Sequence, residues 1–237
     1  MKNANKIARI AGIGYLVIFL TGIFANFFVL ERIVVSNDAQ ATYNNILENT
    51  SQFRIGFLSF VIMVVFDVLL TWALYIIFEP VNRNLSLFGA WFRLVNTALF
   101  GVALFALFNV LHLSSGEEYL NVFEPSQLQA KVMLAINNFN HIWLIGLLFF
   151  GIHLAALGYL IIQSTFIANF IGILLIVASL GYVIDSVAHF MVPNYNDYKE
   201  IFSMIVVIPG VVGELSLTLW LLFRGSNSGK KAGDEVN

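Results

Sequence analysis

The chain has 237 residues, of which 59% are hydrophobic and 11% charged. An ordinary soluble domain is about 45–50% apolar and about 25% charged, so with a mean hydropathy of +0.84 this chain is not built for water. The net charge is −2 and no basic stripe interleaves with aromatics, which excludes nucleic acid as an expected partner; the absence of cysteine excludes disulfides, thiolate metal sites and a cysteine nucleophile.

The first apolar run, about 8–30, follows Lys2, Lys6 and Arg9. It is too long for a signal-peptide core and lacks a small-residue cleavage site, so it reads as a retained first span. Further runs of the roughly 20 residues needed to cross a bilayer core lie at about 54–78, 85–111, 139–162, 166–190 and 200–223. Each is apolar on all sides, whereas barrel strands alternate, so the expected class is an all-α integral membrane protein, a bundle of six transmembrane helices in one domain over 1–224. The two long loops, 31–53 and 112–130, each have room for a short surface helix. Leu128, Val132 and Ile136 recur with helical spacing among polar neighbours, so 127–138 reads as an interfacial segment leading into the fourth span. The Gly/Ser/Lys-rich tail 225–237 has no apolar periodicity and reads as a disordered cytoplasmic tail.

Basic residues set the orientation. Lys2, Lys6, Arg9, Arg83, Arg93, Arg224, Lys230 and Lys231 fall on one side. The other side holds mostly acids: Glu31, Asp38, Glu48, Glu117, Glu118, Glu124, Asp197 and Glu200, with Arg32, Arg54, Lys131 and Lys199. The positive-inside rule then places both termini in the cytoplasm, and the protein in the cell membrane as a multi-pass chain.

An ionisable side chain at the middle of a span costs about 2.5–3.5 kcal/mol to insert, and such residues face the bundle interior. Counted from the cytoplasmic end at 1.5 Å per residue, Asp67 lies roughly 16 Å deep, Arg93 roughly 12 Å, and His153 and Glu214 roughly 14 Å, with Asn96 one turn beyond Arg93. Four spans thus bring two carboxylates, a guanidinium and an imidazole to one inner layer. Two readings stay open. In one, the layer is a charge-balanced network in which Asp67 pairs with Arg93 and His153 bridges to Glu214. In the other, Arg93 binds an anionic group of a small-molecule ligand while Asp67, Glu214 or His153 exchanges a proton.

A second set lies near the opposite surface. Asp185 and His189 are i and i+4 on the fifth span, hence on one face; His141 begins the fourth span and His112 ends the third. Carboxylate and imidazole are zinc ligands, so Asp185, His189 and one of His112 or His141 form a candidate metal site, with a plain wet-interface role as the alternative. Gly151, Ala155 and Gly158 form a small-residue ridge for close helix packing. Pro209, Gly210 and Gly213 interrupt the sixth span before Glu214, most simply as a kink. Trp72, Trp91, Trp143 and Trp220 fit interfacial belts. No nucleotide-binding or hydrolase fingerprint occurs.

Five runs in order, FDVLLTWALY from Phe66, EPVNRNLSLFGAWFRLV from Glu79, WLIGLLFFGIHLAALGYLI from Trp143, FIGILLIVASLGYVIDS from Phe170 and GELSLTLWLLFRG from Gly213, resemble the bacterial multi-span membrane family catalogued as domain of unknown function 4386. The resemblance covers nearly the whole chain. It implies the fold and the membrane location, and brings no activity with it. The functional expectation is binding or translocation of a small solute or proton in an intramembrane polar cavity. The alternatives are an intramembrane enzyme acting on a lipid-like substrate and a structural or regulatory subunit.

Overall fold

Long apolar stretches without water to satisfy their amides must hydrogen-bond within themselves, and they do so here as helices. The computed structural model describes residues 2–223, without the side chains of residues 2–4, 196, 199–203 and 207–208; the expected disordered tail 225–237, and the cations Arg224, Lys230 and Lys231, lie outside the described residues. The helices are α1 (Lys2–Ile23), continued by a π-helical stretch Phe24–Leu30 into α2 (Glu31–Ile33), then α3 (Ala39–Glu48), α4 (Thr50–Phe78), α5 (Arg83–Leu113), α6 (Pro125–Gln163), α7 (Asn169–Met191) and α8 (Tyr195–Phe223). No strand occurs among the described residues. Six helices are long and apolar enough to cross a membrane, over Asn5–Ile33, Thr50–Phe78, Arg83–Leu113, Pro125–Gln163, Asn169–Met191 and Met204–Phe223. All six runs expected from the sequence are therefore present.

The chain falls into two compact units. One comprises, among the described residues, 2–16, Phe66–Thr97 and 144–223. Its helices approach closely where glycine replaces a side chain. A Cβ on Gly158 would lie 2.6 Å from the Gly172 carbonyl oxygen, and one on Gly172 would lie 2.5 Å from that of Gly158. The ridge of Gly151 and Gly158 on α6 is thus the seat of α7, as its small residues suggest. Pro209 sits inside α8, which continues through it as a helix. Proline has no N–H to give to the carbonyl four residues back, that of Ile205. Gly181 of α7 is pressed against this same carbonyl, where a Cβ would stand 2.7 Å away, so the oxygen deprived of its helical donor faces a bare α-carbon. Packing of α7 absorbs the proline.

The other unit comprises Val17–Val65 and Ala98–Trp143. Its π-helical stretch was not foreseen, because the wider turn has no apolar period of its own. The stretch is held from α4: Gln52 Nε2 donates to the Phe28 carbonyl at 2.8 Å, and Gly56 leaves room for Val29. α3 is the short helix expected in the first loop. Asp38 caps it by accepting from the Ala41 N–H at 2.8 Å, and Thr42 ties it back to Val35 through both backbone groups. The segment 127–138 is the beginning of the continuous helix α6, and Val132 and Ile136 are fully buried within the protein; their apolar period fits a protein neighbour as well as a lipid one. Trp143 lies inside an aromatic cluster, stacked on Phe100 at 3.6 Å with Phe60 and Phe139 beside it.

Candidate functional site

The candidate centre lies in the first unit. On α5, Gly89, Arg93, Asn96 and Thr97 share one face by their spacing of three and four, and that face is buried: Arg93 is 1% exposed and Asn96 0%. Asp67 of α4 and His153 of α6 are equally enclosed. Arg93 Nη2 donates to Asp67 Oδ1 in a short ion pair. The other carboxylate oxygen, Oδ2, accepts from the Thr97 hydroxyl at 2.6 Å. That hydroxyl lies also 2.8 Å from the Arg93 carbonyl, one turn back on its own helix.

His153 completes the group. Its Nε2 is 3.0 Å from Arg93 Nη1, and its Nδ1 is 2.9 Å from the Gly89 carbonyl. A guanidinium only donates and a carbonyl only accepts, so Nδ1 carries the proton and Nε2 accepts: the ring is the neutral Nδ1–H tautomer with both nitrogens committed. The guanidinium also lies over two rings, 5.3 Å from the centroid of Tyr15 on α1 and 5.4 Å from that of Phe150 on α6, which stabilises a cation away from water.

Four polar atoms at this centre are buried without a hydrogen-bond partner: Arg93 Nε, both side-chain atoms of the Asn96 amide, and the Tyr15 hydroxyl. The tyrosine hydroxyl is close enough to feel the Arg93 charge, yet its placement falls short of hydrogen-bonding geometry. Each such orphan costs about 1–3 kcal/mol if nothing meets it. Glu214 of α8 is within electrostatic range of Arg93 and Asp67. Among the hydrogen bonds and ion pairs of the described residues, its carboxylate has no partner. The expected bridge from His153 to Glu214 is therefore not formed, because both imidazole nitrogens are taken up by Arg93 and Gly89. A small cavity of about 10 Å3 touches His153, between Thr71, Ser86, Gly89 and Leu157, which is room for about one water.

The second set does not assemble as metal ligands. Asp185 Oδ1 accepts from the Tyr195 hydroxyl at 2.5 Å, and the His189 ring lies 4.3 Å from the Tyr195 ring. Burial and this contact with Asp185 push the Tyr195 hydroxyl well above its ordinary range, so it remains a donor. In the other unit, His112 stands edge-on to Phe108 and His141 is exposed. No three His, Cys, Asp or Glu side chains gather as a metal site among the described residues. The i,i+4 pair Asp185 and His189 instead joins α7 to the start of α8.

Residues 10–225 match the family described as "Domain of unknown function (DUF4386)". The chain belongs to that family. An uncharacterized protein of Archaeoglobus fulgidus is 27% identical over 164 residues, covering 69% of this chain and 80% of its own length. No solved structure matches. In this DUF4386 protein, Asp67, Arg93 and His153 meet as expected, Asn96 lies beside them with its amide unmet, and Glu214 stands apart from the hydrogen-bonded group. Thr97 and Tyr15 belong to the centre and were missed. Thr97 could have been found from its place one turn after Arg93, where its hydroxyl can serve the same carboxylate; Tyr15 carries only the weaker signal of a lone phenol in the first span.

Proposed function

We propose that this DUF4386 protein binds or moves a small polar solute or a proton within the membrane, and that its working groups are those the closed ion-pair network leaves over. Asp67, Arg93, Thr97 and His153 form the fixed part, each already bonded to another. Glu214, the Asn96 amide, Arg93 Nε and the Tyr15 hydroxyl form the open part. The observation that carries this reading is the buried, unmet polar atoms around Arg93 with an uncommitted carboxylate in electrostatic range. Together they offer donors, acceptors and one titratable group to a small visitor. Glu214 takes the proton-exchanging role, since Asp67 is held by Arg93 and Thr97 and His153 has no free nitrogen.

Vesicles loaded with a pH-sensitive dye test it. A pH gradient should collapse faster with reconstituted protein than in empty vesicles, and Glu214→Gln should return the rate to that of empty vesicles. A wild-type rate equal to that of empty vesicles would sink the proton reading. A second reading, a structural subunit, is favoured by how completely Asp67, Arg93 and His153 satisfy one another; under it Glu214→Gln changes nothing in flux.

The proposed setting is the cell membrane with both termini in the cytoplasm, supported by Lys6, Arg9 and Arg83 on one side and Glu117, Glu118 and Glu124 on the other. Because the chain has no cysteine, single substitutions report topology directly. In intact cells a membrane-impermeant maleimide should label Ser115→Cys and spare Asn84→Cys. The reverse labelling would invert the orientation.

A further inference from the structure

A second pocket, unrelated to the ion-pair centre, lies in the other unit where α5 ends and α6 begins. It has a volume of about 410 Å3, within the range of about 300–1,000 Å3 that holds small ligands. Its wall is apolar, with Leu113, Leu120 and Phe123 on one side and Leu134 and Ala135 on the other; Lys131, His112, Asn109 and Asn138 supply the polar groups.

Lys131 is the telling residue. It sits in a region carrying Glu117, Glu118 and Glu124, yet it forms no ion pair among the described residues, and none of those three glutamates lines the pocket. Its ammonium is held 4.6 Å from the centroid of the Phe123 ring, a placement that keeps the charge at the pocket and leaves it without an anion.

The depth is that of a lipid head. With 39 residues, α6 is roughly 60 Å long at 1.5 Å per residue, about twice the thickness of a hydrocarbon core. The apolar run from about residue 139 fills that core. Asn138 therefore marks its boundary, and Lys131, two turns further out, stands at the level of head groups. Toward the core the same face of α5 continues from Asn109 to Phe105, which is 70% exposed, so an acyl chain has an apolar track leading away from the polar end.

We propose that this pocket binds an anionic phospholipid of the surrounding bilayer, its phosphate against Lys131, its remaining head-group oxygens within reach of His112, Asn109 and Asn138, and its proximal acyl chain along Phe105. An anionic lipid is favoured over a zwitterionic one because the latter brings a cation of its own and leaves Lys131 uncompensated. One lysine near an anionic surface corresponds to about a fivefold preference.

Native mass spectrometry of protein extracted from vesicles of equimolar phosphatidylcholine and phosphatidylglycerol reads this preference. Wild type should retain phosphatidylglycerol about fivefold over phosphatidylcholine, Lys131→Gln should retain the two equally, and Lys6→Gln should keep the wild-type ratio. Lys131 is exposed, so its variant should melt like wild type in phosphatidylcholine alone. Equal retention by wild type, or an unchanged ratio in Lys131→Gln, would overturn the proposal. So would a melting shift of the delipidated protein in millimolar inorganic phosphate that matched the shift in phosphatidylglycerol, since the pocket would then be selecting a soluble anion.

Discussion

Arg93→Gln should lower the stability of the protein by about 3–5 kcal/mol, because it leaves the Asp67 carboxylate buried with only the Thr97 hydroxyl to meet its charge. Asp67→Asn should cost a similar amount by stranding the guanidinium. The double variant, Asp67→Asn with Arg93→Gln, should recover a large part of that loss, since two neutral amides can bond to each other where two charges stood. Unfolding of purified protein in detergent, with the three variants measured side by side, gives the coupling energy directly. Two singles and a double of equal stability would mean that Asp67 and Arg93 do not support each other. The aromatic faces of Tyr15 and Phe150 over the guanidinium predict in addition that Arg93→Lys is a poor substitute. A compact ammonium cannot donate at once to Asp67 and His153 while lying flat between two rings.

His153→Leu should be the next most damaging single change, at about 1–3 kcal/mol. The leucine fills much of the volume but withdraws the acceptor for Arg93 Nη1, leaving one buried donor unmet at about 1–3 kcal/mol, while the Gly89 carbonyl keeps its helical partner. The same unfolding assay measures it. In a double-mutant cycle, His153→Leu should couple strongly to Arg93→Gln, because with the guanidinium gone the stranded donor no longer exists. Additive losses would show that the imidazole acts independently of the arginine, and would overturn the tautomer deduced from its partners. Glu214→Gln should by contrast have little effect on stability in this assay, its carboxylate having no hydrogen bond to lose, so a defect in flux with normal melting would separate a working group from a structural one.

Much of this protein was legible before any geometry. Composition and uninterrupted apolar runs determine six membrane-crossing helices, because a chain with no water to bond its amides has no other way to satisfy them over some 20 residues. The cost of burying a charge in such helices points to Asp67, Arg93 and His153 as neighbours, and helical spacing brings Asn96 with them. Tertiary structure decided the partners. Whether an imidazole bonds a carboxylate or an arginine depends on helix rotation and approach over distances of an ångström, and here the Gly89 carbonyl takes one nitrogen of His153 while the other meets Arg93. Asp185 and His189 went the same way, brought to Tyr195 by the turn between α7 and α8. The pocket at Lys131 was likewise hidden, since its walls come from the end of one helix and the start of the next, and only their packing shows that a lysine among glutamates pairs with none of them.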